Sequence, residues 1–389
     1  MDNATTEPHF DIGIIGAGQL ARMMVRAAIP LGLRLRVLAQ SVNDSAALVW
    51  PNVVVGSPDD PNTVLEFARP CGIVTFDHEL VSPRSLDLLA RSNVVLRPSV
   101  STLQYAQNKR WQREEFSRRG FPVPAFAGVR VVDDVVTFVA SYGWPVALKT
   151  AYGGYDGRGV WRIDNVGAAI ALLESVSEAS CDMLVERWIP IDREIALIVA
   201  RSPSGQMATY PVVDTVQRDG ICREIIAPAD LPPQLSQRAT LLGREIAEAI
   251  DLTGVMAVEY FVAGDELIIN EIATRPHNSG HYTIEGSVTS QFEQHLRAVM
   301  DWPLGLTTLR SEQVVTVNVL GGTEAIDPRE ALSAALTDES VRVHLYGKSA
   351  RPGRKLGHVT VTGPDLVDAQ ARAWRAAELL TGEPAEVRQ

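Results

Sequence analysis

Short apolar runs alternate with amphipathic stretches through the first hundred residues of the chain. The apolar runs predict strands, and the stretches in which apolar positions recur every three or four residues predict helices. The strands are DIGIIG, RLRVLA, NVVVG, CGIVTF and NVVL, and the helices are QLARMMVRAAIPL, NTVLEFAR and SPRSLDLLA. This pattern favours an N-terminal open parallel α/β sheet with helices on its faces.

A long amphipathic stretch, SVSTLQYAQNKRWQREEFSRRG, then leads to FPVPAF. We predict one helix that the two prolines end, with a domain boundary near residue 105 where that helix begins. The central part is richer in strand patterns, namely VALKT, GVWRI, DMLVERW and EIALIVA, with the helices GAAIALLESV and LSQRATLLGREIAEAI. Beyond about residue 310 come the strands VVTVNVLG, VRVHLYG and GHVTVTG and the helix AQARAWRAAELL. The pattern predicts α/β and α+β units over residues 1–105, 106–310 and 311–389, the last small and β-rich.

The segment VMAVEYFVAGDELIINEIA has the pattern of one β-hairpin. If Gly264, Asp265 and Glu266 form a three-residue turn, Glu259 lies directly opposite Glu271 and both side chains point to the same face.

Two carboxylates at that spacing repel each other, and burial beside Ala257, Phe261 and Ile269 would strengthen the repulsion. A hard divalent cation, most simply Mg²⁺, would reverse its sign and would also suit the phosphate oxygens of a nucleotide. Asn270 can add an oxygen only if a bulge turns it inward. A solvated acidic pair on an exposed hairpin is the alternative.

Composition narrows the class of protein. The chain has 389 residues, 46% of them hydrophobic, which predicts a globular protein of two or three domains. Its apolar runs are too short to cross a bilayer, and MDNATTEPHF lacks the features of a secretion signal, so we expect a cytoplasmic protein. Cys71, Cys181 and Cys222 are widely spaced, which predicts reduced thiols. A net charge of −11 argues against nucleic-acid and membrane-surface binding and requires local cationic sites for anionic substrates.

A first glycine motif, GAGQLA from Gly16 to Ala21, follows a strand and opens a helix, as in dinucleotide-binding proteins. The acidic residue expected at the end of the second strand is missing, because RVLAQ ends in Gln40. Use of the glycines for a phosphate or for structure is therefore favoured over NAD binding.

A second glycine motif, YGGYDGRG, lies between the predicted strands VALKT and GVWRI and has no Gly-Lys-Ser/Thr ending. It predicts a hairpin that closes over phosphates rather than a P-loop. Lys149, five residues before Gly154, can reach phosphates held under such a flap. A flexible surface hairpin with a solvated lysine is the alternative.

Further along the chain, acidic and basic residues are candidates for contacts with a nucleotide. The strand DMLVERWI offers Glu186 and the backbone after it to an adenine edge, and Glu194 lies eight residues on, where it can accept from ribose hydroxyls. Lys348, Arg351, Arg354 and Lys355 place four cations within eight residues, as a ribonucleotide phosphate requires. A polar run after Glu271 is expected to line the cleft beside the metal; it comprises Arg275, His277, Asn278, Ser279 and His281.

The order of lysine, glycine flap, two acids and acidic hairpin resembles the ATP-grasp superfamily, in which two α+β lobes hold ATP between them. Within it, GAGQLARMM, GGYDGRG, NEIATRPHNSGH and YGKSARPGRKLGH resemble the 5-(carboxyamino)imidazole ribonucleotide synthases of purine biosynthesis. The resemblance runs over nearly the whole chain and implies a central ATP-grasp domain.

The resemblance also implies residue roles. ATP contacts fall to Lys109, Lys149, Gly154, Tyr155, Asp156, Gly157, Arg158, Gly159, Glu186, Ile189, Glu194, Gln217 and Asn270. Metal ligation falls to Glu259 and Glu271 with Asn270 beside them, and the catalytic set is Lys149, Glu271 and Arg275. Ribonucleotide contacts fall to Gln19, Glu79, Tyr155, Arg158, His277, Asn278, Ser279, Lys348, Arg354 and Lys355. The chain departs from the family pattern where Asp77-His78-Glu79 replaces a Glu-x-Glu and where Lys109 replaces an arginine.

The reaction implied is attack of bicarbonate on the γ-phosphate of Mg-ATP, giving ADP and carboxyphosphate, whose carboxyl group passes to the amine of aminoimidazole ribonucleotide. The family also implies a homodimer. Three alternatives remain: a formate-using glycinamide ribonucleotide transformylase, a nicotinamide oxidoreductase built on GAGQLA, and a non-catalytic nucleotide-binding regulator.

Overall fold

The computed structural model describes residues 9–153, 159–176, 182–218 and 220–382. Five predicted flap residues, Gly154, Tyr155, Asp156, Gly157 and Arg158, lie outside the described residues, as does Cys181.

The described residues form seventeen strands and twelve α-helices. The strands are β1 (Phe10–Ile15), β2 (Leu35–Ala39), β3 (Val53–Val55), β4 (Cys71–Phe76), β5 (Phe126–Val129), β6 (Val146–Thr150), β7 (Val160–Ile163), β8 (Met183–Arg187), β9 (Arg193–Arg201), β10 (Met207–Thr209), β11 (Val213–Arg218), β12 (Ile221–Ala227), β13 (Gly254–Ala263), β14 (Glu266–Ala273), β15 (Gln313–Leu320), β16 (Arg342–Leu345) and β17 (Lys355–Gly363). The helices are α1 (Gln19–Ala28), α2 (Pro61–Ala68), α3 (Pro83–Ala90), α4 (Val100–Gln107), α5 (Lys109–Arg118), α6 (Val132–Tyr142), α7 (Val166–Ser175), α8 (Pro233–Ala249), α9 (Thr283–Gly286), α10 (Gln291–Val299), α11 (Leu332–Ala335) and α12 (Leu366–Thr381).

The N-terminal sheet is parallel, in the order β3-β2-β1-β4, which confirms the predicted open α/β sheet. Its two faces carry separate apolar cores, one with α1 and α10 and the other with α2 and α3. The predicted strand NVVL is wrong: Leu96 makes only an isolated bridge to Val74.

Two further sheets make up the rest of the described chain. A small antiparallel sheet, β5-β8-β6-β7, packs against α6 and α7 and forms one lobe. A nine-stranded sheet runs β14-β13-β9-β11-β12-β15-β17-β16, with β10 beside β9. Helix α8 packs on the β9 and β13 end, and α12 packs on β15 and β17. The C-terminal strands therefore extend the hairpin's own sheet across the boundary predicted near residue 310.

The predicted single helix over SVSTLQYAQNKRWQREEFSRRG is wrong. Asn108 has extended backbone angles (φ −123°, ψ 102°) and separates α4 from α5. Its side-chain oxygen accepts from the N–H of Trp111 at 3.0 Å, so Asn108 caps the N-terminus of α5 and a new helix begins at Lys109.

Several elements had no prediction. These are the strands β5, β10, β11 and β12 and the helices α6, α9, α10 and α11. Among the described residues, no helix combines the length and apolar character that crossing a bilayer requires.

Candidate active site

A cavity of about 830 Å³ lies where the three sheets approach one another. Most predicted site residues that the structure describes line it: Gln19, Glu79, Lys109, Lys149, Glu186, Ile189, Glu194, Gln217, Glu259, Asn270, Glu271, Arg275, His277, Asn278, Ser279, His281 and Lys355. Gly159, Lys348, Arg351 and Arg354 are not part of this lining. Residues separated by more than 300 positions in the chain thus share one cleft.

The hairpin β13–β14 pairs Glu259 directly with Glu271, as predicted, but the predicted three-residue turn is wrong. Ala263 pairs with Glu266, which leaves a two-residue turn with Gly264 in the left-handed region (φ +58°). The register shifts next to Glu259, where Asn270 is left without a partner in the ladder. This bulge restores the pairing that the shorter turn would have displaced by one residue.

The bulge also brings Asn270 to the cavity, where its Oδ1 lies 3.4 Å from the Nζ of Lys149. Strict alternation would have pointed Asn270 to the other face of the sheet. The amide oxygen and the carboxylates of Glu259 and Glu271 therefore gather on one wall of the cleft.

The two opposed glutamates have different electrostatic environments. Glu271 Oε2 lies 2.5 Å from the Nζ of Lys109, and Glu259 Oε1 lies 3.6 Å from the Nε2 of His277. Burial, and then the charge of Glu271, raises the pKa of Glu259. Burial alone would also raise the pKa of Glu271, but Lys109 and then Lys149 lower it below its usual value.

These oxygen donors fit a magnesium ion held jointly by protein and nucleotide. Among the described residues, no three His, Cys, Asp or Glu side chains gather as a complete ligand set. Mg²⁺ is commonly bound by one or two carboxylates together with substrate phosphates, and Glu259 and Glu271 offer two carboxylates here. The raised pKa of Glu259 also indicates that a cation beside it would be stabilising.

A buried network holds Lys149 beside this wall. Its Nζ lies 2.7 Å from Glu186 Oε2, and Arg113 Nε lies 2.7 Å from Glu186 Oε1. Burial would raise the pKa of Glu186, but Arg113 and Lys149 lower it to about 2, so the carboxylate stays ionised. Both carboxylate oxygens of Glu186 therefore have cationic partners.

Sequence reasoning missed Arg113. It lies in KRWQREEF, where alternating charges are typical of a solvated helix face, yet only 1% of its side chain is exposed. Its partners Glu186 and Asn270 are 73 and 157 positions away in the chain. No local pattern signals such a contact.

Glu194 and Gln217 lie on neighbouring strands β9 and β11 and line the same cavity. Burial, and then the charge of Glu271, raises the pKa of Glu194 to about 7. This group therefore titrates near neutrality.

The first glycine motif serves the fold. Asp77 accepts hydrogen bonds from the backbone N–H groups of Gly18 (2.5 Å) and Ala21 (2.9 Å), at the N-terminus of α1. A Cβ atom at position 18 would lie 2.6 Å from Asp77 Oδ2, so glycine is needed there to admit the carboxylate. Of the two uses weighed for these glycines, phosphate binding or structure, the geometry favours structure, with the chain's own carboxylate at the helix N-terminus.

The predicted ribonucleotide end of the cleft is built from all three units. Arg275 Nε lies 3.0 Å from Glu79 Oε2, and Lys348 Nζ donates to Gln19 Oε1 at 2.6 Å. Lys348 thus lies beside the cleft although it is not part of the lining. Arg354 donates instead to Ser349.

Comparison with known proteins gives matches along most of the chain. Residues 10–107 match the ribonucleotide synthetase preATP-grasp domain, residues 114–292 the ATP-grasp domain, and residues 314–372 the phosphoribosylaminoimidazole carboxylase C-terminal domain. The N5-carboxyaminoimidazole ribonucleotide synthase of Mycobacterium tuberculosis is 44% identical over 377 residues, which cover 95% of this chain and 87% of that protein.

Solved structures agree. The N5-carboxyaminoimidazole ribonucleotide synthetase of Thermus thermophilus superposes with a TM-score of 0.85 at 35% identity, covering 97% of this chain and 99% of that one. An Aspergillus clavatus N5-carboxyaminoimidazole synthase in complex with ADP and 5-aminoimidazole ribonucleotide superposes with a TM-score of 0.87 at 32% identity, covering 96% and 98%.

Proposed function

Because this chain belongs to the family of N5-carboxyaminoimidazole ribonucleotide synthases, we propose that it joins a carboxyl group to 5-aminoimidazole ribonucleotide at the expense of ATP. The products are N5-carboxyaminoimidazole ribonucleotide, ADP and phosphate, and the reaction belongs to purine biosynthesis. The observation that carries the proposal is the single cleft in which Lys149 faces Glu259, Asn270 and Glu271.

Bicarbonate is the carboxyl donor in this proposal. One of its oxygens attacks the γ-phosphorus of ATP, ADP leaves, and carboxyphosphate forms. The amine nitrogen of the ribonucleotide then attacks the carboxyl carbon, the bond from that carbon to the phosphate oxygen breaks, and the amine loses a proton.

The chain's own residues position and neutralise the reactants. In this proposal Lys149 and Lys109 contact the phosphates, and Arg275, which pairs with Glu79, contacts the anionic intermediate. Glu259, Glu271 and Asn270 would hold Mg²⁺, which supplies charge neutralisation at the phosphates. The enclosing cleft limits the access of water, which would otherwise hydrolyse carboxyphosphate.

The rival functions have less support. The relatives' names favour formation of a carboxyaminoimidazole ribonucleotide over a formate-using ligase. A nicotinamide enzyme would bind the cofactor's pyrophosphate at the N-terminus of α1, where the carboxylate of Asp77 lies. A cytoplasmic homodimer is part of the proposal on family resemblance, and light scattering of the purified protein would test its assembly.

ADP release is the deciding assay. We expect ADP to form rapidly only when ATP, Mg²⁺, bicarbonate and aminoimidazole ribonucleotide are all present. A requirement for formate in place of bicarbonate would identify the transformylase instead. ATP binding without hydrolysis under every condition would identify a non-catalytic regulator.

Glu271→Gln tests the metal assignment. Loss of one charged contact costs about 1.5–3 kcal/mol, so we expect kcat/KM to fall on the order of ten- to a hundredfold. The half-saturating Mg²⁺ concentration should rise as well. Glu266→Gln, on the same strand but exposed at the hairpin tip, is the matched control and should behave as wild type. Unchanged turnover and Mg²⁺ dependence in Glu271→Gln would contradict the assignment.

A further inference from the structure

Arg113 contacts residues on two different sheets, Glu186 on β8 and Asn270 on β14, and the proposed reaction depends on their relative positions. It lies on α5, and each nitrogen of its buried guanidinium donates to a different partner. Nε donates to Glu186 Oε1 at 2.7 Å, Nη1 to Gln112 Oε1 at 2.8 Å, and Nη2 to the carbonyl oxygen of Asn270.

The contact with Asn270 falls at the bulge. Asn270 is the residue without a partner in the β13–β14 ladder, and a buried carbonyl left unpaired is costly. By accepting from Arg113, this carbonyl stabilises the bulge that sets Glu271 opposite Glu259 and brings the Asn270 side chain to the cleft. One edge of the guanidinium therefore fixes the wall that carries the oxygen donors.

The contact with Glu186 falls in the other lobe. Glu186 lies on β8 of the small sheet and also accepts from Lys149, which lies on the neighbouring strand β6. The Nε of the guanidinium therefore fixes the carboxylate that holds the phosphate-side lysine. A planar, forked cation can bridge both partners at once, whereas a lysine has a single nitrogen.

We propose that Arg113 is a positioning residue of the carboxylation site: it sets the separation between Lys149 and the Glu259–Asn270–Glu271 wall without contacting either substrate. This inference rests on the proposed function only for its catalytic readout. Gln112 supports it from behind, because its side-chain nitrogen donates to the carbonyl of Tyr105 at 2.6 Å while its oxygen accepts from Arg113.

Arg113→Lys is the main test because it keeps the charge and removes the fork. We expect kcat to fall about 10- to 100-fold and the half-saturating Mg²⁺ concentration to rise, with KM for the ribonucleotide nearly unchanged. Arg118→Met is the matched control, since Arg118 lies on the same helix with 64% of its side chain exposed and should leave every parameter at the wild-type value.

A second variant keeps the proposal testable if Arg113→Lys does not fold. Gln112→Met keeps the volume of the side chain and removes the acceptor for Nη1, so it should shift kcat and Mg²⁺ dependence in the same direction by a smaller factor. Wild-type kcat and Mg²⁺ dependence in a folded Arg113→Lys protein would overturn the proposal. If Arg113→Lys does not fold, wild-type values in Gln112→Met would overturn it. Equal proportional changes in kcat and in every KM, following the loss of thermal stability, would also overturn it, because a merely structural role predicts that result.

A binding measurement distinguishes failure of this proposal from failure of the proposed function. Calorimetry of Mg-ADP needs no second substrate, and we expect Arg113→Lys to weaken this binding while Arg118→Met does not. If wild-type protein shows no activity that depends on the ribonucleotide, the proposed function fails although the positioning result can stand. If activity is present and both Mg-ADP affinity and kcat survive Arg113→Lys, only the positioning proposal fails.

Discussion

Glu194 shows how the position of one side chain sets a pH dependence. Its pKa is raised to about 7 by burial and by the nearby charge of Glu271. If Glu194 accepts from ribose hydroxyls, its ionised form is the better acceptor. Nucleotide binding should therefore weaken as the pH falls below neutrality.

The test compares wild type with Glu194→Gln. At pH 6 only about a tenth of a carboxyl group with a pKa near 7 is ionised, so we expect the wild-type KM for ATP to rise between pH 8 and pH 6. In Glu194→Gln the KM should be higher at pH 8 and nearly constant over that range. Parallel pH profiles in the two proteins would contradict the assignment.

The same shift has a consequence for stability. The pKa of Glu194 in the folded protein lies above its ordinary value of 4.5, so the carboxyl group of the unfolded chain loses its proton first as the pH rises. The contribution of Glu194 to the free energy of unfolding is fully present below about pH 4.5 and is lost as the pH rises through about 7. Replacing the carboxyl group by an amide should remove this part of the pH dependence.

The sequence predicted which side chains line the cleft where the order of residues along the chain was enough to identify them. It predicted less well where a side chain depends on partners that are distant in the chain. The lysine, the acids and the polar run that line the cleft were all expected from sequence. Asp77 was noted only as a departure from the family pattern, and both its oxygens accept from backbone N–H groups at the N-terminus of α1. Its partners lie more than fifty positions away, so only the packing of β4 against β1 brings them together.

At the level of elements, the hairpin shows how a correct pairing can follow from an incorrect turn. The two-residue turn at Gly264 and Asp265 and the bulge at Asn270 each shift the register by one residue, in opposite directions. A period-two pattern counts residues and cannot distinguish these two arrangements. The bulge becomes visible only when the opposing strand is known.

The break between α4 and α5 yields a prediction at the scale of elements. Asn108→Ala removes the acceptor for the Trp111 N–H and should lower the free energy of unfolding by about 1 kcal/mol. Asn108→Asp keeps an oxygen at that position and should stay close to wild type. Urea unfolding measures both. Equal stability of the alanine variant and wild type would show that the cap does not hold the start of α5.

Some of the missed elements have short or irregular patterns. Strand β10 has three residues and α11 has four, too few for either periodicity to show. Strands β11 and β12 pair with a register shift after Val216, and the apolar positions of β11 are interrupted by Asp214 and Gln217. Gln217 lines the cleft and Asp214 pairs with Arg193, so neither strengthens the apolar alternation by which a strand is recognised.

At the scale of the whole molecule, the C-terminal segment is bound into the large sheet by a continuous ladder. Residues Glu224–Ala227 of β12 pair with Val314–Val317 of β15, and β15 pairs along its length with β17. The order of units was predictable because each has its own alternation of apolar runs. The joining of the C-terminal strands to the hairpin's sheet was not predictable, because strand order is set by tertiary packing.

Ending the chain at residue 310 tests this fusion. The truncated protein would expose the edge of β12 and the apolar residues against which Val314 and Tyr346 pack, so we expect it to aggregate when expressed alone. Co-expression with residues 311–389 should restore soluble protein with circular dichroism close to that of the intact chain. A soluble, cooperatively folded fragment 1–310 would contradict the prediction.

The shared sheet also dictates how this chain can be recombined with a relative. A crossover near residue 310 would join strands from two parents within one hydrogen-bonded array, so that every β12–β15 neighbour would have to be compatible. The small sheet β5-β8-β6-β7 has no backbone ladder to the large one among the described residues. Replacing the segment from β5 to β8 by that of a relative should therefore be tolerated better than a crossover near residue 310. The donor segment must carry a glutamate that can pair with Arg113.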